Sequence, residues 1–496
     1  MAVNYSLSPI VDRKFGLTEA RHLLWRAGYA GTPAQVRDLQ AKGLDAAVAS
    51  LIDYQAIDVS SLPEPGMDAQ ILHPKTREEQ QQLREARRQN DNDTIDAFRK
   101  VDQEARAADR KQFFALRQWW LQRMFDTPRP AEERLVLLWH GHFASSYRSV
   151  NDAYMLQQQQ ELFREHANGS FADLARGIVQ DPAMLRYLNN DRNNKNRPNE
   201  NLARELMELF TVGVGNYSEN DIKEGARALT GYGIDDDSFR LRTNQHDAEA
   251  KTIFGQTGPF DGDDFVELLL RREACTKFVA LKLYDYFVAD VGDVYDAVPT
   301  DRRRVIDAIA QRIKQSEYDL RPVLTMLFKS QHFYDDQVVG RKIKDPAQLL
   351  VGTVRSLGTP TRQIGALIET MGAMGQSLFE PPTVDGWDGG RSWINTSTLF
   401  VRQNLCTYLI SGKHPAKKFK PGEIDFEPAQ LLADLTDRSP AVVVDYFVDH
   451  LVGVHTPEPR REPLRKFMAE RKKGVTNDSL VALLCLITAM PEYQLC

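Results

Sequence analysis

Apolar residues recur at helical spacing through most of the chain. Thr18 is suited to cap a helix carrying His22, Leu23, Leu24 and Trp25. Thr32-Pro33 opens a second helix, which Gly43 is placed to end. From Lys75 to Thr127 there is neither Gly nor Pro. The stretch is polar from Arg77 to Arg110 and apolar around Phe113, Phe114, Trp119 and Trp120. The pattern predicts one or two long helices, a charged arm over 75–127 whose first half is a solvated face.

Pro130 begins a further helix, with Glu132 and Glu133 in its first turn. Residues 189–201 read as an Asn-rich loop and Leu202 to Phe210 as the helix after it. Ser218 and Asp221 make a capping box for a helix that carries Arg227 and stops at Gly231. The rhythm breaks over 232–264, where Phe239-Arg240-Leu241-Arg242 and Lys251-Thr252-Ile253-Phe254-Gly255 alternate as in a short hairpin. Helices resume near Asp264 and continue through Leu281–Val288, Arg304–Ile313, Pro346–Leu357 and Gln363–Met371. Glu380 to Asn395 is irregular, and small amphipathic helices follow, including Ala441–Leu451 and Ser479–Met490. The fold expected is mainly α: multi-helical and globular, with long irregular loops and one short β-hairpin. It forms a single unit over 1–496, with a C-terminal helical subregion at 425–496.

Composition narrows the class. The 496 residues are 42% hydrophobic and 27% charged, with a formal net charge of −6. That describes an ordinary globular protein and disfavours a basic nucleic-acid surface. The four cysteines, Cys275, Cys406, Cys485 and Cys496, have no zinc-knuckle spacing. No stretch reaches the length of an apolar membrane span, and the start lacks a basic region followed by an apolar one. The expectation is a soluble cytoplasmic protein, with export alongside a partner left open.

The chemistry centres on Trp139-His140-Gly141-His142-Phe143-Ala144-Ser145-Ser146. Two histidines one residue apart reach one metal only from extended backbone, because a helix splays them roughly 200° apart. Gly141 makes a local break plausible, so the helix is expected to end by presenting two imidazoles. The alternative is one core histidine and one surface histidine.

Glu200, Arg204 and Glu208 share a helical stripe and read as an ion-pair ladder. Glu205 lies beside Leu202, Leu206 and Leu209, where a carboxylate needs a cation, an arginine or a metal. His140, His142 and Glu205 therefore compose a possible two-histidine, one-carboxylate site for iron, copper, manganese or zinc. Glu208, His246, Asp247 and Lys251 are the catalytic candidates, although turn chemistry also explains the His-Asp pair. Trp387 and Trp393, in Pro381-Pro382-Thr383-Val384-Asp385-Gly386-Trp387-Asp388-Gly389-Gly390-Arg391-Ser392-Trp393, could wall a sugar, an aromatic group or a cation. Plugging of the core by the same tryptophans is the competing reading. Arg204, Arg227, Arg391 and Arg402 are candidates to orient substrate. No Walker loop, dinucleotide fingerprint, HExxH helix or GxSxG elbow is present in the sequence.

These stretches also carry a resemblance. His22-Leu-Leu-Trp-Arg-Ala-Gly-Tyr29, WHGHFASS at 139–146, Asn199 to Thr211, Ala226 to Gly231, His246-Asp247 with Lys251, and PPTVDGWDGGRSWIN followed by Arg402 are similar to the bacterial domain of unknown function 1800 family. The resemblance runs from about residue 17 to Pro491-Glu492-Tyr493. It implies a mostly helical fold. It also implies an export signal in many members, which this sequence lacks, and a possible protein partner from the sulfatase-like domain of unknown function 1501 family.

Three functions follow as expectations. The first is a metal-dependent enzyme, favoured as an oxidoreductase of a polar or anionic organic substrate. Trp139, Tyr147, Trp387 and Trp393 near the motifs tilt the reading toward redox chemistry, with a Trp- or Tyr-derived cofactor as a variant. The second is a metal-dependent hydrolase in which Glu208 or Asp247 is the base. The third is a non-catalytic assembly or carrier partner, suggested by the charged arm.

Overall fold

A computed structural model describes residues 3–360, 362–413 and 425–496. Among these residues the chain is mainly α-helical, and its β-structure beyond isolated bridges is two small antiparallel hairpins. No helix among them is long and apolar enough to cross a membrane.

Capping chemistry places several helix starts. The Pro33–Ile52 helix begins at Thr32, whose hydroxyl accepts from the Gln35 amide while Gln35 caps Thr32 in return. Gly43, at φ +74°, breaks this helix without ending the element, and the Asp12 carboxylate accepts the freed Leu44 amide. The first α-helix, Leu17–Ala27, is capped at Gly16 by Glu19 and not at Thr18. Ser218 and Asp221 form the expected capping box for Glu219–Ala228.

The arm is a helical hairpin. Arg77–Gln89 turns at Asn90 and Asp91 into Asn92–Asp126, a helix of 35 residues. The first helix buries only Ala86, whereas the long one becomes core from Phe113 through Leu116, Trp120, Leu121 and Met124. A buried ion cluster ties it to the Pro130–His142 helix. Glu133, fully buried, accepts from Arg123 Nε at 2.6 Å, Arg164 Nε at 2.9 Å and Trp120 Nε1 at 2.9 Å. Burial alone would raise its pKa, but the two guanidiniums hold it below the usual carboxylate range.

The two alternating stretches of 232–264 do not pair with each other. Tyr232–Asp235 pairs with Ser238–Leu241, and Lys251–Ile253 with Gln256–Gly258. Each stretch finds its partner across a two-residue turn, Asp236-Asp237 and Phe254-Gly255, so local closure takes precedence over the longer pairing. The helix after the Asn-rich loop is also split, into an α-helical Asn201–Glu205 and a π-helical Leu206–Thr211.

The C-terminal segment anchors part of the site. Arg26 donates to the Cys496 carbonyl, and the Cys496 amide donates to the carbonyl of Lys342. Lys344 is buried between the rings of Trp25 and Tyr493, at 3.7 and 3.8 Å, and donates to the Tyr493 carbonyl. These contacts fix the segment that carries Lys342 and Asp345.

Candidate active site

The helix that begins at Pro130 runs on through His142, so the expected break at Gly141 does not occur. The Phe143 amide closes its last turn on the Trp139 carbonyl at 2.8 Å. Gly141 has a different use, which is to let a loop lie against the helix. A Cβ on Gly386 would overlap the Gly141 carbonyl oxygen, and a Cβ on Gly141 would rest 3.5 Å from Trp387. Gly386 also has φ +85°, so both its conformation and its surroundings call for glycine.

Helical geometry sends the two imidazoles to different surroundings. His140 lies among Trp120, Phe163, Phe379 and Trp387, and its Nε2 accepts from the Phe379 amide at 3.0 Å. His142 lies among Trp139, Phe143, Phe171, Phe210 and Phe278, and its Nε2 donates to the Phe210 carbonyl at 3.0 Å. Burial pushes both pKa values down to about 3, so both rings are neutral. The His140 lone pair at Nε2 is occupied, while His142 Nδ1 is buried without a partner.

The loop and the helix line a partly open cavity of about 160 Å³. Trp387, Trp393 and Tyr286 supply aromatic wall, and the Trp387 indole N–H is buried without an acceptor. Arg134 donates to Asp345 at 2.6 Å and lies 4.2 Å above the Tyr286 ring, and Lys342 pairs with Asp290. Asp285, Asp293, Asp385 and Asp388 also face this space. The lining therefore holds more carboxylates than cations.

The first, beneath the Trp387 loop, is the inner chamber; a second, outer chamber of about 610 Å³ adjoins it, and Leu209, Lys282 and Asp293 line both. Lys282 stands on the Glu273–Phe287 helix at this junction. No carboxylate among the described residues lies within 4.0 Å of its amine, which is 5.1 Å from the Phe278 ring centroid. Burial lowers its pKa, opposed in part by Asp293, Asp285 and Asp385.

Of the residues singled out in the sequence, His142, Trp387 and Trp393 line the inner chamber and Glu208 the outer one. Glu208 is held by Arg204 at 3.4 Å. Glu205 is half-buried, and its pKa is raised by burial and by the nearby Glu208 and Asp385. Among the described residues no three His, Cys, Asp or Glu side chains are grouped to hold a metal ion. His140, His142 and Glu205 thus do not come together as a ligand set.

The remaining candidates have structural partners. His246 Nδ1 donates to the Thr230 carbonyl, and Asp247 accepts from Arg227 Nε at 2.7 Å. Lys251 is fully buried and donates to the carbonyls of Asp247 and Glu249. Arg227 also pairs with Glu224 at 2.8 Å. Together they fasten the second hairpin to the Glu219–Ala228 helix. Arg204 bridges Glu200, Glu208 and Glu219. Arg402 is fully buried and donates to Gln494 and to the Lys344 carbonyl. Arg391 is exposed and lines neither chamber.

Sequence reasoning passed over Lys282, Asp285 and Arg134. Lys282, between Leu281 and Leu283 in an apolar helical run, was the available signal.

The stretches that build the cleft lie inside one family match. The model described as "Protein of unknown function (DUF1800)" matches residues 22–495. The chain belongs to the DUF1800 family. In this DUF1800 chain the family match takes in both the WHGH helix and the Trp387 loop, the two elements that cross at Gly141 and Gly386. No curated protein and no solved structure matches it.

Proposed function

We propose that this DUF1800 chain is an enzyme whose active site is the two-chambered cleft, acting on a polar organic molecule that is uncharged or cationic. One observation carries the reading: Lys282, an amine without an ion-pair partner among the described residues, shares the inner chamber with the unpaired Trp387 N–H and His142 Nδ1. Buried polar groups are ordinarily satisfied, and Trp387 Nε1 and His142 Nδ1, two that are not, beside the half-buried Lys282 amine are suited to a ligand. The surplus of carboxylates disfavours an anion, and aromatic faces beside acceptors suit hydroxyls or an ammonium.

The test is binding. Polyols, aldoses and alkyl amines are titrated while tryptophan fluorescence is followed, in the natural protein and in Trp387→Phe and Lys282→Met. A saturable change in the natural protein that is weakened about tenfold or more in both variants supports the reading. Equal affinity in all three proteins would place the ligand elsewhere.

A further inference from the structure

Lys282 occupies an unusual position. Its helix sets it where the inner and outer chambers meet, so a molecule bound at its amine has room on both sides. On one side are Trp387, Trp393 and Tyr286, and on the other Glu208 and Asn216. Asp293 lines both chambers, and Asp285 and Asp385 face the inner one. Four other cations around the cleft are paired, Arg134 with Asp345, Lys342 with Asp290, Lys277 with Glu273 and Arg271 with Glu267, and Arg272 lies over the Phe254 ring at 4.9 Å.

We propose that Lys282 is a nucleophile that forms a reversible imine with an aldehyde or ketone bearing polar arms, one lying in each chamber. The proposal rests on the reading of the cleft as an active site. The amine lone pair adds to the carbonyl carbon, the carbonyl π pair passes to its oxygen, and a proton moves from the new ammonium nitrogen to that oxygen. The carbinolamine formed then takes a proton from solvent on that oxygen and loses it as water, while the nitrogen lone pair closes the C=N bond to give the iminium. Hydrolysis reverses the sequence and releases the lysine, so neither oxidant nor reductant is consumed. The iminium draws electrons from the adjacent carbon and makes a proton there easier to remove, a task suited to Asp293 or Asp385. A lysine in a desolvated site is activated for this chemistry, and burial moves Lys282 in that direction.

Lys277 provides an internal control. It lies on the same helix and lines the outer chamber, but it pairs with Glu273 at 2.8 Å, and that bond raises its pKa. The full-length protein is incubated with dihydroxyacetone and sodium cyanoborohydride at neutral pH, and adducts are mapped by peptide mass spectrometry. The expected result is reduced adduct on Lys282 at least about tenfold faster than on Lys277, because the unpaired amine supplies more free base than the one held by Glu273. Lys282→Arg should remove this adduct while leaving labelling of Lys277 unchanged. Labelling of Lys282 no faster than that of Lys277 overturns the imine. The fluorescence titration separates the two claims: polyols or amines that saturate the cleft without adduct at Lys282 overturn the imine alone, whereas absence of both overturns the active-site reading as well.

Discussion

Gly386 lies so close to the helix that a side chain there would occupy the space of the Gly141 carbonyl oxygen. This crossing holds the Trp387 loop on the WHGH helix and defines the inner chamber. The two glycines are nonetheless unequal. Gly141 is helical and a Cβ there finds ordinary contact distance to Trp387, whereas Gly386 combines positive φ with a backbone overlap.

Substitution at the two positions should therefore have opposite results. Gly386→Ala is expected to destabilise the protein by roughly 2–4 kcal/mol and to weaken ligand binding in the cleft. Gly141→Ala should be neutral or stabilising by up to about 1 kcal/mol, from improved helix propensity. Denaturant unfolding of both variants measures the difference.

Much of the architecture was legible because helical periodicity and capping are local. The Ser218 capping box, the long arm and the helix at Pro346–Leu357 follow from neighbouring residues alone. The role of Gly141 was not legible, since glycine within a helical run signals either a break or a close approach, and only the tertiary neighbour Gly386 decides between them. The metal reading of His140 and His142 depended on that break. Lys282 was hidden for the same reason: whether a lysine among leucines finds a carboxylate depends on segments far away in the chain. In the His246, Asp247 and Lys251 cluster, charge pattern alone did not distinguish a working site from a fastening.

The fastening can be tested directly. Lys251→Met would leave the carbonyls of Asp247 and Glu249 without their donor. It should cost about 1–3 kcal/mol of stability while cleft affinities stay unchanged. Loss of ligand binding in a variant that remains folded would assign Lys251 a functional role instead.

The two histidines should make the protein sensitive to acid. Their folded pKa values, down at about 3, lie below the ordinary value of 6.5, so the unfolded chain binds more protons. The stability they contribute is present above pH 6.5 and is lost as pH falls toward 3. At pH 5 the loss is about 2 kcal/mol for each ring. His142→Gln should flatten the pH dependence of unfolding over that range, and NMR of the natural protein should find both rings still neutral at pH 5.

Glu133 offers a test of the scaffold beneath the site. Removing its carboxylate in Glu133→Ala leaves Arg123 and Arg164 without their shared buried partner. A loss of about 3–5 kcal/mol is expected, read from the shift of the urea midpoint.

If the cleft at Lys282 carries out chemistry, the protein should consume its substrate. The most direct measurement is incubation of the purified protein with a mixed extract of small polar metabolites, followed by mass spectrometry over time, with Lys282→Met and Trp387→Phe in parallel. A small set of uncharged or cationic polar compounds should be consumed by the natural protein, left untouched by Lys282→Met and consumed more slowly by Trp387→Phe. Consumption that continues undiminished in folded Lys282→Met would contradict this.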